Sequence, residues 1–428
     1  MPWQSPISPG ISWYEATVGE RPEYAPLDGS VETDVAIVGG GFTGLQAAYN
    51  LARKGVRVTL IEAHRFGDGA SGRNGGQLGT GQRAEPAELE EQIGYERSRA
   101  LFDLAENAKR HILDFAGSQG LDIEYVPGQL NVSHKASYEK DFRDSVEIAA
   151  TRYGYPHFSY MDRTETEERV GSKRYHFGIR DTGTGHIHPM KLIVGLARAA
   201  QAAGAGIHEK TPALKIERTG GKAVIATARG MIRADKALIA CNAYIGDLEP
   251  KTAAHVMPIR SFIGATPVLD KYPSIIPGGE AIADTRFVVR YFRKSRDGRL
   301  LFGGREAYTA DNPRDITIHI RRQIAEIYPE LSDIEITHAW GGSVGITLPR
   351  QPYVREVMPG ITSIGGYSGH GVMLSNYCGK LYADEATGGS AELDHLKALK
   401  IPAFPGGRRF RSPLLFLALT WYALRDKL

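Results

Sequence analysis

Two hydrophobic periodicities alternate along the chain and predict strands and helices in turn. An apolar strand, "DVAIVG", a glycine turn, a helix and a second apolar strand follow one another over residues 34–62, which predicts a βαβ unit. Helical spacing returns over residues 88–115. The apolar face of that predicted helix consists of Leu101, Leu104, Ala108, Ile112 and Phe115.

Later segments continue the alternation. A helix is predicted from Pro189 to the glycines near residue 204, followed by short strands within 213–240 and a hairpin that turns at Asp297 and Gly298. Isoleucines at 316, 320, 324 and 327 predict another helix, and one more follows the glycines before residue 372. The pattern predicts an α/β domain interrupted by a β-rich insertion, with residues 1–30 as an extended arm over the surface.

Composition and charge are those of an ordinary globular protein. The 428 residues, 42% hydrophobic and 24% charged, predict two domains. A net charge of +3 gives no reason to expect nucleic acid as a partner. Cys241 and Cys378 are far apart in the sequence, which predicts neither a disulfide framework nor a zinc site and indicates a reducing, cytoplasmic setting.

The pattern predicts no targeting or membrane segment. The first 30 residues lack the charged and apolar regions of a signal peptide, and no apolar run reaches the roughly 18 residues of a membrane span. The apolar stretch at 413–424 is predicted to be a packed helix, and the charged stretch at 162–174 a solvated helix face.

The first motif that carries chemistry is the glycine turn "GGGFTG" at residues 39–44. It fits G-x-G-x-x-G between a strand and a helix, and Glu62 ends the next strand. The glycines allow close approach of a pyrophosphate, the helix N-terminus favours its charge, and the acid can accept hydrogen bonds from ribose hydroxyls. An ADP moiety is therefore predicted, without a ribose 2′-phosphate; the alternative is a structural turn with a chance acid.

A glycine-rich loop follows the second strand, with the sequence "DGASGRNGGQLGTG" at residues 68–81. Such a loop can lay its backbone N–H groups along a large flat ring without side-chain clashes. A flavin offers carbonyls and ring nitrogens to these donors, so the loop favours FAD over NAD. The alternative is a mobile surface loop, but that would not need Arg73, Asn74 and Gln77 so closely spaced.

A second glycine turn, "GGYSGHGV" at residues 365–372, opens a predicted helix. The N-terminus of that helix would stabilise the negative charge that a reduced flavin carries near N1 and the C2 carbonyl. The alternative is an ordinary tight turn whose histidine has a structural partner.

Together these elements resemble the FAD-dependent oxidoreductases related to D-amino-acid, glycine and sarcosine oxidases, and most of all the γ-glutamylputrescine oxidase group. The resemblance covers nearly the whole chain, and its most specific parts are "SGRNGGQ" (71–77) and residues 404–428. The other matching stretches are "SWYEAT" (12–17), "DVAIVGGGFTGL" (34–45), "HIHPMKL" (186–192), "ALIACNAY" (237–244), "RLLFGGRE" (299–306) and "GYSGHGV" (366–372).

The resemblance implies a fold of the D-amino-acid oxidase type. A Rossmann-like FAD-binding domain would comprise residues 31–85, 186–250 and 336–385, and a discontinuous β-sheet domain (86–185 and 251–335) would enclose the substrate. Residues 386–428 would form a C-terminal extension. The implied reaction oxidises an amine C–N bond to an imine by hydride transfer to flavin N5, and water then hydrolyses the imine.

The resemblance also implies site residues. The pyrophosphate would lie at residues 39–44, the ribose at Glu62, the flavin along 71–77, the adenine near the backbone of Leu214, and the pyrimidine end of the flavin at 369–372. The full set of implied cofactor-binding residues is Gly39, Gly41, Phe42, Thr43, Gly44, Glu62, Ala63, Ser71, Gly72, Arg73, Asn74, Gly75, Gly76, Gln77, Leu214, Asn242, Gly342, Gly369, His370, Gly371 and Val372.

Two departures from the sarcosine oxidases matter. Those enzymes carry an oxygen-activating lysine three residues after the histidine of the GHG motif, where this chain has Met373. An efficient reaction with oxygen therefore does not follow from the resemblance, and the electron acceptor is either oxygen or another molecule. They also attach flavin to a cysteine before that motif, whereas residues 341–354 contain none. Dissociable, non-covalent FAD is therefore predicted, with Cys241 and Cys378 as core thiols.

Five side chains are candidates to face a small amine substrate. Tyr291, Trp340 and Tyr367 could form aromatic walls, Arg305 could pair with a substrate carboxylate, and His370 could orient the amine or tune the flavin. A packing or solvated role is the alternative for each. His186 and His188 lack a nearby acid or cysteine, so they are interpreted as fold residues and no metal is predicted.

Two other functions compete with an amine oxidase. One is a dehydrogenase of D-amino or N-alkyl amino acids that passes electrons to a quinone or a protein, which Met373 and the apolar C-terminal stretch would suit. The other is a non-enzymatic dinucleotide-binding regulatory protein, which would leave the second domain and the GHG turn without a purpose.

Overall fold

A computed structural model of the chain describes residues 11–286, 288–307 and 315–406, with the side chains of 305–307 excepted. Its α-helices are α1 (Trp13–Thr17), α2 (Phe42–Arg53), α3 (Pro86–Ile93), α4 (Tyr95–Ser118), α5 (Glu139–Thr151), α6 (Arg163–Val170), α7 (Pro189–Ala202), α8 (Pro250–His255), α9 (Thr317–Ile327), α10 (Gly371–Thr387) and α11 (Ala391–Lys397).

The strands form two sheets and run in chain order through the described residues. They are β1 (Val31–Val38), β2 (Val58–Ile61), β3 (Val126–Val132), β4 (Phe158–Met161), β5 (Gly178–His186), β6 (Gly206–His208), β7 (Lys215–Thr219), β8 (Lys222–Ala226), β9 (Met231–Ile239), β10 (Met257–Val268), β11 (Ala281–Asp284), β12 (Tyr291–Lys294), β13 (Arg299–Ala307), β14 (His338–Ile346), β15 (Tyr353–Met358) and β16 (Ile361–Gly365).

The first sheet grows from the predicted βαβ unit. Its strand order is β15-β16-β9-β1-β2-β6, and β7 and β8 continue from β9 as an antiparallel pair. β1 pairs in parallel with both β2 and β9, with Val38 opposite Ile61 on one side and Ile239 on the other. The carboxyl ends of these central strands therefore share one edge, which is where ligands bind in open parallel sheets.

The second sheet is mainly antiparallel, with the order β14-β10-β13-β12-β11-β3-β5-β4. Its only parallel pair among the described strands is β11 with β3. The predicted hairpin is confirmed, because β12 and β13 pair antiparallel and Gly298 takes a φ of +84° at the turn. Leu130 and Phe302 of this sheet share an apolar cluster with Ile320 and Ile324 of α9.

Side-chain alternation explains how the first sheet is covered on both faces. Val35 and Ile37 of β1 join the cluster that includes α2, α4 and α10, whereas Ala36 and Val38 belong to the cluster on the opposite face. Helices α2 and α10 approach closely at Gly379, where a Cβ would lie 2.3 Å from the carbonyl oxygen of Thr43. This contact keeps both helices beside the carboxyl edge of the sheet.

The α/β class is confirmed, and most predicted elements lie where the pattern put them. Two elements differ. The helix predicted over 88–115 is divided into α3 and α4 at Gly94, whose φ of +80° interrupts the helix. The predicted extended arm contains the short helix α1, because Trp13 and Tyr14 are buried in the main core. The helix predicted at 413–424 lies outside the described residues.

Sheet membership differs from the predicted domain boundaries at two places. β14 lies within the segment assigned to the cofactor domain, but it pairs with β10 in the second sheet. Helix α4 lies within the segment assigned to the substrate domain, but its apolar face joins the core beneath the first sheet. None of the described helices has the length and apolar character needed to cross a bilayer.

Candidate active site

The glycine turn between β1 and α2 brings three backbones together. A Cβ on Gly39, whose φ is +108°, would lie 2.8 Å from the carbonyl oxygen of Ala240, and a Cβ on Gly44 would lie 1.9 Å from the carbonyl oxygen of Gly39. Gly41 caps α2 without a side-chain hydrogen bond, and no acid occupies the first turn. The N-terminus of α2 therefore presents backbone N–H groups to an anion over an open glycine surface.

Glu62 stands beside this turn, immediately after β2. One carboxylate oxygen accepts a hydrogen bond from the N–H of Gly40 at 2.7 Å, and the other accepts one from the N–H of His64 at 2.9 Å. Burial raises the pKa of the Glu62 carboxyl, and these two N–H donors oppose that rise. The Glu62 carboxylate is thus held next to the glycine turn. A ribose bound at the end of β2 would meet Glu62 and the following Ala63.

The loop at 69–77 is folded on itself and tied to the glycine turn. The Asn74 amide donates to the carbonyls of Ala70 and Ser71 at 3.0 and 2.9 Å, and its oxygen accepts from the N–H of Gly76 at 2.8 Å. The Ser71 hydroxyl accepts from the N–H of Phe42 at 3.0 Å, which occupies one N–H of the α2 N-terminus. The loop is therefore an ordered part of the site.

Side chains from β12 and β14 donate hydrogen bonds to carbonyl groups of the loop. Arg293 of β12 donates to the carbonyl of Gly75 at 2.8 Å, and it also donates to the hydroxyl of Tyr14 in α1 at 3.1 Å. The Trp340 indole donates to the carbonyl of Arg73 at 3.1 Å. β12 and β14 thus both hold the loop, and α1 supports the arginine of β12.

Three further loop contacts reach the second sheet. The Arg73 guanidinium donates to the carbonyl of Gly341 at 2.7 Å, and the Gln77 amide donates to the carbonyl of Ile282 at 3.0 Å. Gly342 lies against the loop, since a Cβ there would be 3.5 Å from the Cβ of Arg73. Gly72 cannot carry a side chain here, because its Cβ would lie 2.2 Å from the carbonyl oxygen of Gly67.

The second glycine turn leads into α10 beside α2. The Tyr367 hydroxyl is 2.7 Å from Thr43 Oγ1, so the two helix N-termini lie close together. Asn242 accepts a hydrogen bond from the N–H of Gly366 at 2.8 Å and so fixes this turn. Gly369 has a φ of +97° and open space where a Cβ would stand. Helix α10 begins with Gly371 and Val372, without a capping side chain or an acid in its first turn.

His370 precedes α10 and lies over the end of the glycine-rich loop. A Cβ on Gly79 would lie 2.8 Å from its Nε2. Burial, and to a lesser extent the positive charges of Arg83 and Lys109, lower the pKa of His370 to about 4, against an opposing effect of the Thr80 backbone. The imidazole is therefore neutral at pH 7.

Tyr291 brings the second sheet onto the loop. A Cβ on Gly75 would meet its ring at 2.9 Å, and one on Gly303 would meet it at 2.2 Å, so the ring lies between two glycines. Its hydroxyl is 3.1 Å from Ser261 Oγ. The structure thus places this candidate substrate residue directly against the predicted flavin loop.

The other candidates for substrate contact occupy different positions. Trp340 and Tyr367 are buried in the main core, with Trp340 edge-on to Tyr14 at 5.3 Å and the Tyr367 hydroxyl bonded to Thr43. Arg305 lies in β13, opposite Phe262, but its side chain is outside the described part of the chain. These placements favour packing roles for Trp340 and Tyr367.

Two remaining groups of predicted residues have structural partners. Leu214 is 51% exposed, and its N–H donates to the carbonyl of Ala226 at 2.8 Å. His186 contacts the carbonyl of Gly279 at 2.9 Å, whereas His188 caps α7 and contacts the hydroxyl of Thr17 at 3.1 Å, so the two histidines serve different elements.

The two cysteines lie in apolar surroundings. Burial raises the pKa of both the Cys241 and the Cys378 thiols to about 12. Both thiols are therefore protonated and unreactive at neutral pH. Cys378 is buried, as predicted for a core thiol, and Cys241 is partly buried against the core. Non-covalent binding of FAD stays a prediction.

These residues fit a flavin dinucleotide. The helix N-termini supply N–H groups for the pyrophosphate and for the negatively charged end of a reduced flavin, and Glu62 suits the ribose. The close backbone approaches at Gly39 and Gly44, which no Cβ would allow, form the tight turn that places the N-terminus of α2 beside the end of β1. The loop at 71–77 is held against the N-terminus of α2, where the flavin end of the dinucleotide would continue from the pyrophosphate.

Sequence reasoning missed the residues that support this site from other elements. Arg293, which also donates to Tyr14, holds the loop. Lys109 and Asp181 are buried, and both hydrogen-bond to Thr80. One signal was present: Lys109 interrupts the apolar face of α4 beside Ala108, where a solvated lysine is out of place.

Comparisons with known proteins agree with this geometry. A family model described as FAD dependent oxidoreductase matches residues 34–385. A probable oxidoreductase, OrdL, of Rhizobium meliloti (strain 1021) is 72% identical over 427 residues, which cover 100% of both chains. The gamma-glutamylputrescine oxidoreductase of Escherichia coli (strain K12) is 33% identical over 420 residues, 97% of this chain and 98% of the relative.

A solved structure shares the fold. The glycine oxidase from Geobacillus kaustophilus superposes with a TM-score of 0.71 at 23% identity, over 84% of this chain and 96% of that chain. The family model matches most of this chain, including the two glycine turns, the acid after β2 and the glycine-rich loop. The chain belongs to the family of FAD-dependent oxidoreductases, and FAD is its cofactor.

Proposed function

We propose that this enzyme oxidises a C–N bond of γ-glutamylputrescine, or of a related N-substituted amine or amino acid, to an imine. The observation that carries the proposal is the meeting of Tyr291, the neutral His370 and the anchored glycine loop at the predicted flavin face. The substrate class is supported by the 33% identity, over nearly full length, to the gamma-glutamylputrescine oxidoreductase of Escherichia coli.

FAD, when bound, accepts the hydride that leaves the carbon next to nitrogen. The protein has to bind the amine in its neutral form, because a protonated nitrogen has no lone pair to form the C=N bond. The burial that lowers the pKa of His370 would lower the pKa of an ammonium bound beside it in the same way. The neutral imidazole of His370 would then accept a hydrogen bond from the amine N–H and orient it.

The balance of the reaction is simple. The substrate carbon loses a hydride and its nitrogen loses a proton, so that the amine becomes an imine. Water adds to the imine and releases a carbonyl product and an amine or ammonia. Oxygen or another electron acceptor must then take two electrons from the reduced cofactor.

Met373 bears on which molecule accepts electrons from the reduced cofactor. Met373, three residues after His370, is fully buried and cannot supply a positive charge to reduced oxygen. This observation favours a dehydrogenase that passes electrons to a quinone or to another protein. A cytoplasmic location for either enzyme is part of the proposal and is supported by the two unpaired thiols.

An anaerobic titration tests the substrate class. The visible spectrum of the purified flavoprotein is followed during addition of γ-glutamylputrescine, putrescine, glycine, sarcosine or a D-amino acid, and air is then admitted. Bleaching by γ-glutamylputrescine at lower concentration than by putrescine supports the proposal, and bleaching only by small amino acids contradicts it. Fast recolouring in air identifies an oxidase, and slow recolouring that a quinone analogue accelerates identifies a dehydrogenase.

A further inference from the structure

A lysine is buried beside the candidate active site. Lys109 of α4 is 4% exposed, and its ammonium donates to Thr80 Oγ1 at 2.8 Å, the Gly183 carbonyl at 3.0 Å and the Tyr155 hydroxyl at 3.2 Å. The Glu106 carboxylate pairs with it at 2.8 Å. All three N–H donors of the ammonium are therefore used, and its charge is compensated.

A second buried charge completes this arrangement. Asp181 of β5 is 1% exposed and accepts hydrogen bonds from Thr80 Oγ1 at 2.5 Å, from the Tyr155 hydroxyl at 2.7 Å and from the N–H of Gly183 at 2.9 Å. The Thr80 hydroxyl donates to Asp181 and accepts from Lys109. Thr80 is thereby fixed between two charged groups that come from different elements.

The fixed residue lies directly under His370. The preceding Gly79, with a φ of +74°, lies so close to the imidazole that a Cβ would be 2.8 Å from Nε2. The backbone of Thr80 acts to raise the pKa of the same imidazole. The carbonyl of Gly79 accepts a hydrogen bond from Thr184 Oγ1 at 3.0 Å. The backbone of Gly79 and Thr80, against which the imidazole packs, is thus held by Lys109 of α4 and by Asp181 and Thr184 of β5.

We propose that Lys109 is a positioning residue that acts through Thr80 and Asp181 to hold the backbone of Gly79 and Thr80 against His370. The orientation of the imidazole at the N-terminus of α10 then depends on a lysine of α4 and an aspartate of the second sheet. The inference rests on the proposed function in so far as His370 orients the amine. The residues that would bind the ADP part of FAD, on α2 and after β2, are not part of this network.

Thr80 offers an isosteric test. Thr80→Val removes the hydroxyl at nearly constant shape, and Thr80→Ser restores it. Thr80→Val should slow flavin reduction at saturating amine by about tenfold, because a small displacement of an orienting group is costly, and Thr80→Ser should recover most of the rate. The Kd for FAD should stay within about twofold of the parent value in both variants, whereas a general loss of structure would weaken FAD binding as well.

Lys109→Met tests the lysine itself, with Arg110→Met as the matched control. Arg110 is the next residue of α4 and is exposed, so its loss removes the same charge from the same turn without touching the network. Lys109→Met should slow reduction as Thr80→Val does, and the double variant should be no slower than either single one, since both act on one unit. If Lys109→Met does not fold, Thr80→Val and Thr80→Ser decide the question alone.

A spectroscopic readout separates this inference from the proposed function. The ¹⁵N and ¹H shifts of the His370 imidazole in the FAD-loaded protein are assigned by their loss in His370→Asn. They should move in Thr80→Val and Lys109→Met but not in Arg110→Met or Thr80→Ser, whether or not any amine bleaches the flavin. Unchanged His370 shifts in Thr80→Val would overturn the inference, and so would a parallel loss of FAD affinity and rate.

Discussion

At the scale of single residues, His370 is the side chain on which the proposed chemistry depends most. His370→Ala should lower the rate of flavin reduction at saturating amine by about 10- to 100-fold, because the group that orients the amine is lost. Anaerobic stopped-flow absorbance measures this rate. His395→Ala is the matched control, since His395 is exposed on α11. A rate equal to that of the parent would reduce His370 to a packing residue.

Glu62 is the residue whose role concerns affinity rather than rate. Its carboxylate lies beside the glycine turn and is held by the N–H groups of Gly40 and His64. Glu62→Gln should raise the Kd for FAD by about tenfold, because a charged acceptor for the ribose hydroxyls becomes a neutral one. Fluorescence titration of the apoprotein measures this change, with the exposed Glu335→Gln as control. An unchanged Kd would place the ribose elsewhere.

At the scale of elements, the glycine-rich loop is the feature that links the two sheets. Ser71 ties it to α2, Arg293 ties it to β12, and the ring of Tyr291 covers Gly75. Its many glycines are explained by these close approaches rather than by mobility. The loop has a fixed shape because α2, β11, β12 and β14 all contact it.

A small side chain added to this loop should therefore be harmful. In Gly75→Ala the new Cβ would meet the Tyr291 ring at 2.9 Å, so the ring or the loop must move away from the flavin face. We expect flavin reduction to slow by at least about tenfold, measured in the same stopped-flow assay. Gly117→Ala in α4 is the control, because nothing lies within 4 Å of its Cβ. Equal rates in the two variants would contradict the account of the loop.

Elements defined by local patterns could be predicted from the sequence. The strand, turn and acid at β1, Gly39 and Glu62 are determined by neighbouring residues, and the structure has them where the pattern put them. The break at Gly94 could not be predicted, because a glycine with positive φ looks the same in sequence as a helical one. Arg293 and Asp181 were missed because pairing of distant strands brings them to the site, and Lys109 because the packing of α4 against β5 residues does so.

At the scale of the whole molecule, histidines whose pKa is lowered by burial make the fold sensitive to acid. Burial lowers the pKa of His370 to about 4, and burial together with the charge of Arg293 lowers the pKa of His186 and His188 to about 3. Below the ordinary value of 6.5 the unfolded chain binds protons at these positions and the folded chain does not. Stability is therefore lost as the pH falls from about 6.5 towards 4.

This acid sensitivity can be measured on one histidine. The free energy of unfolding of the FAD-loaded protein is determined by urea titration at pH 7 and at pH 5. In His186→Gln the loss between these two values should be smaller than in the parent by roughly 2 kcal/mol, since one titrating group is removed. A loss as large as in the parent would mean that His186 is protonated in the folded state.

The central claim is that hydride leaves the carbon next to the amine nitrogen and reduces the flavin of this protein. The most direct measurement is single-turnover bleaching of the flavin, without oxygen, by γ-glutamylputrescine carrying either hydrogen or deuterium on that carbon. We expect complete bleaching that is several-fold slower with deuterium. Absence of bleaching, or bleaching at the same rate with both isotopes because another bond or step controls it, would contradict the account.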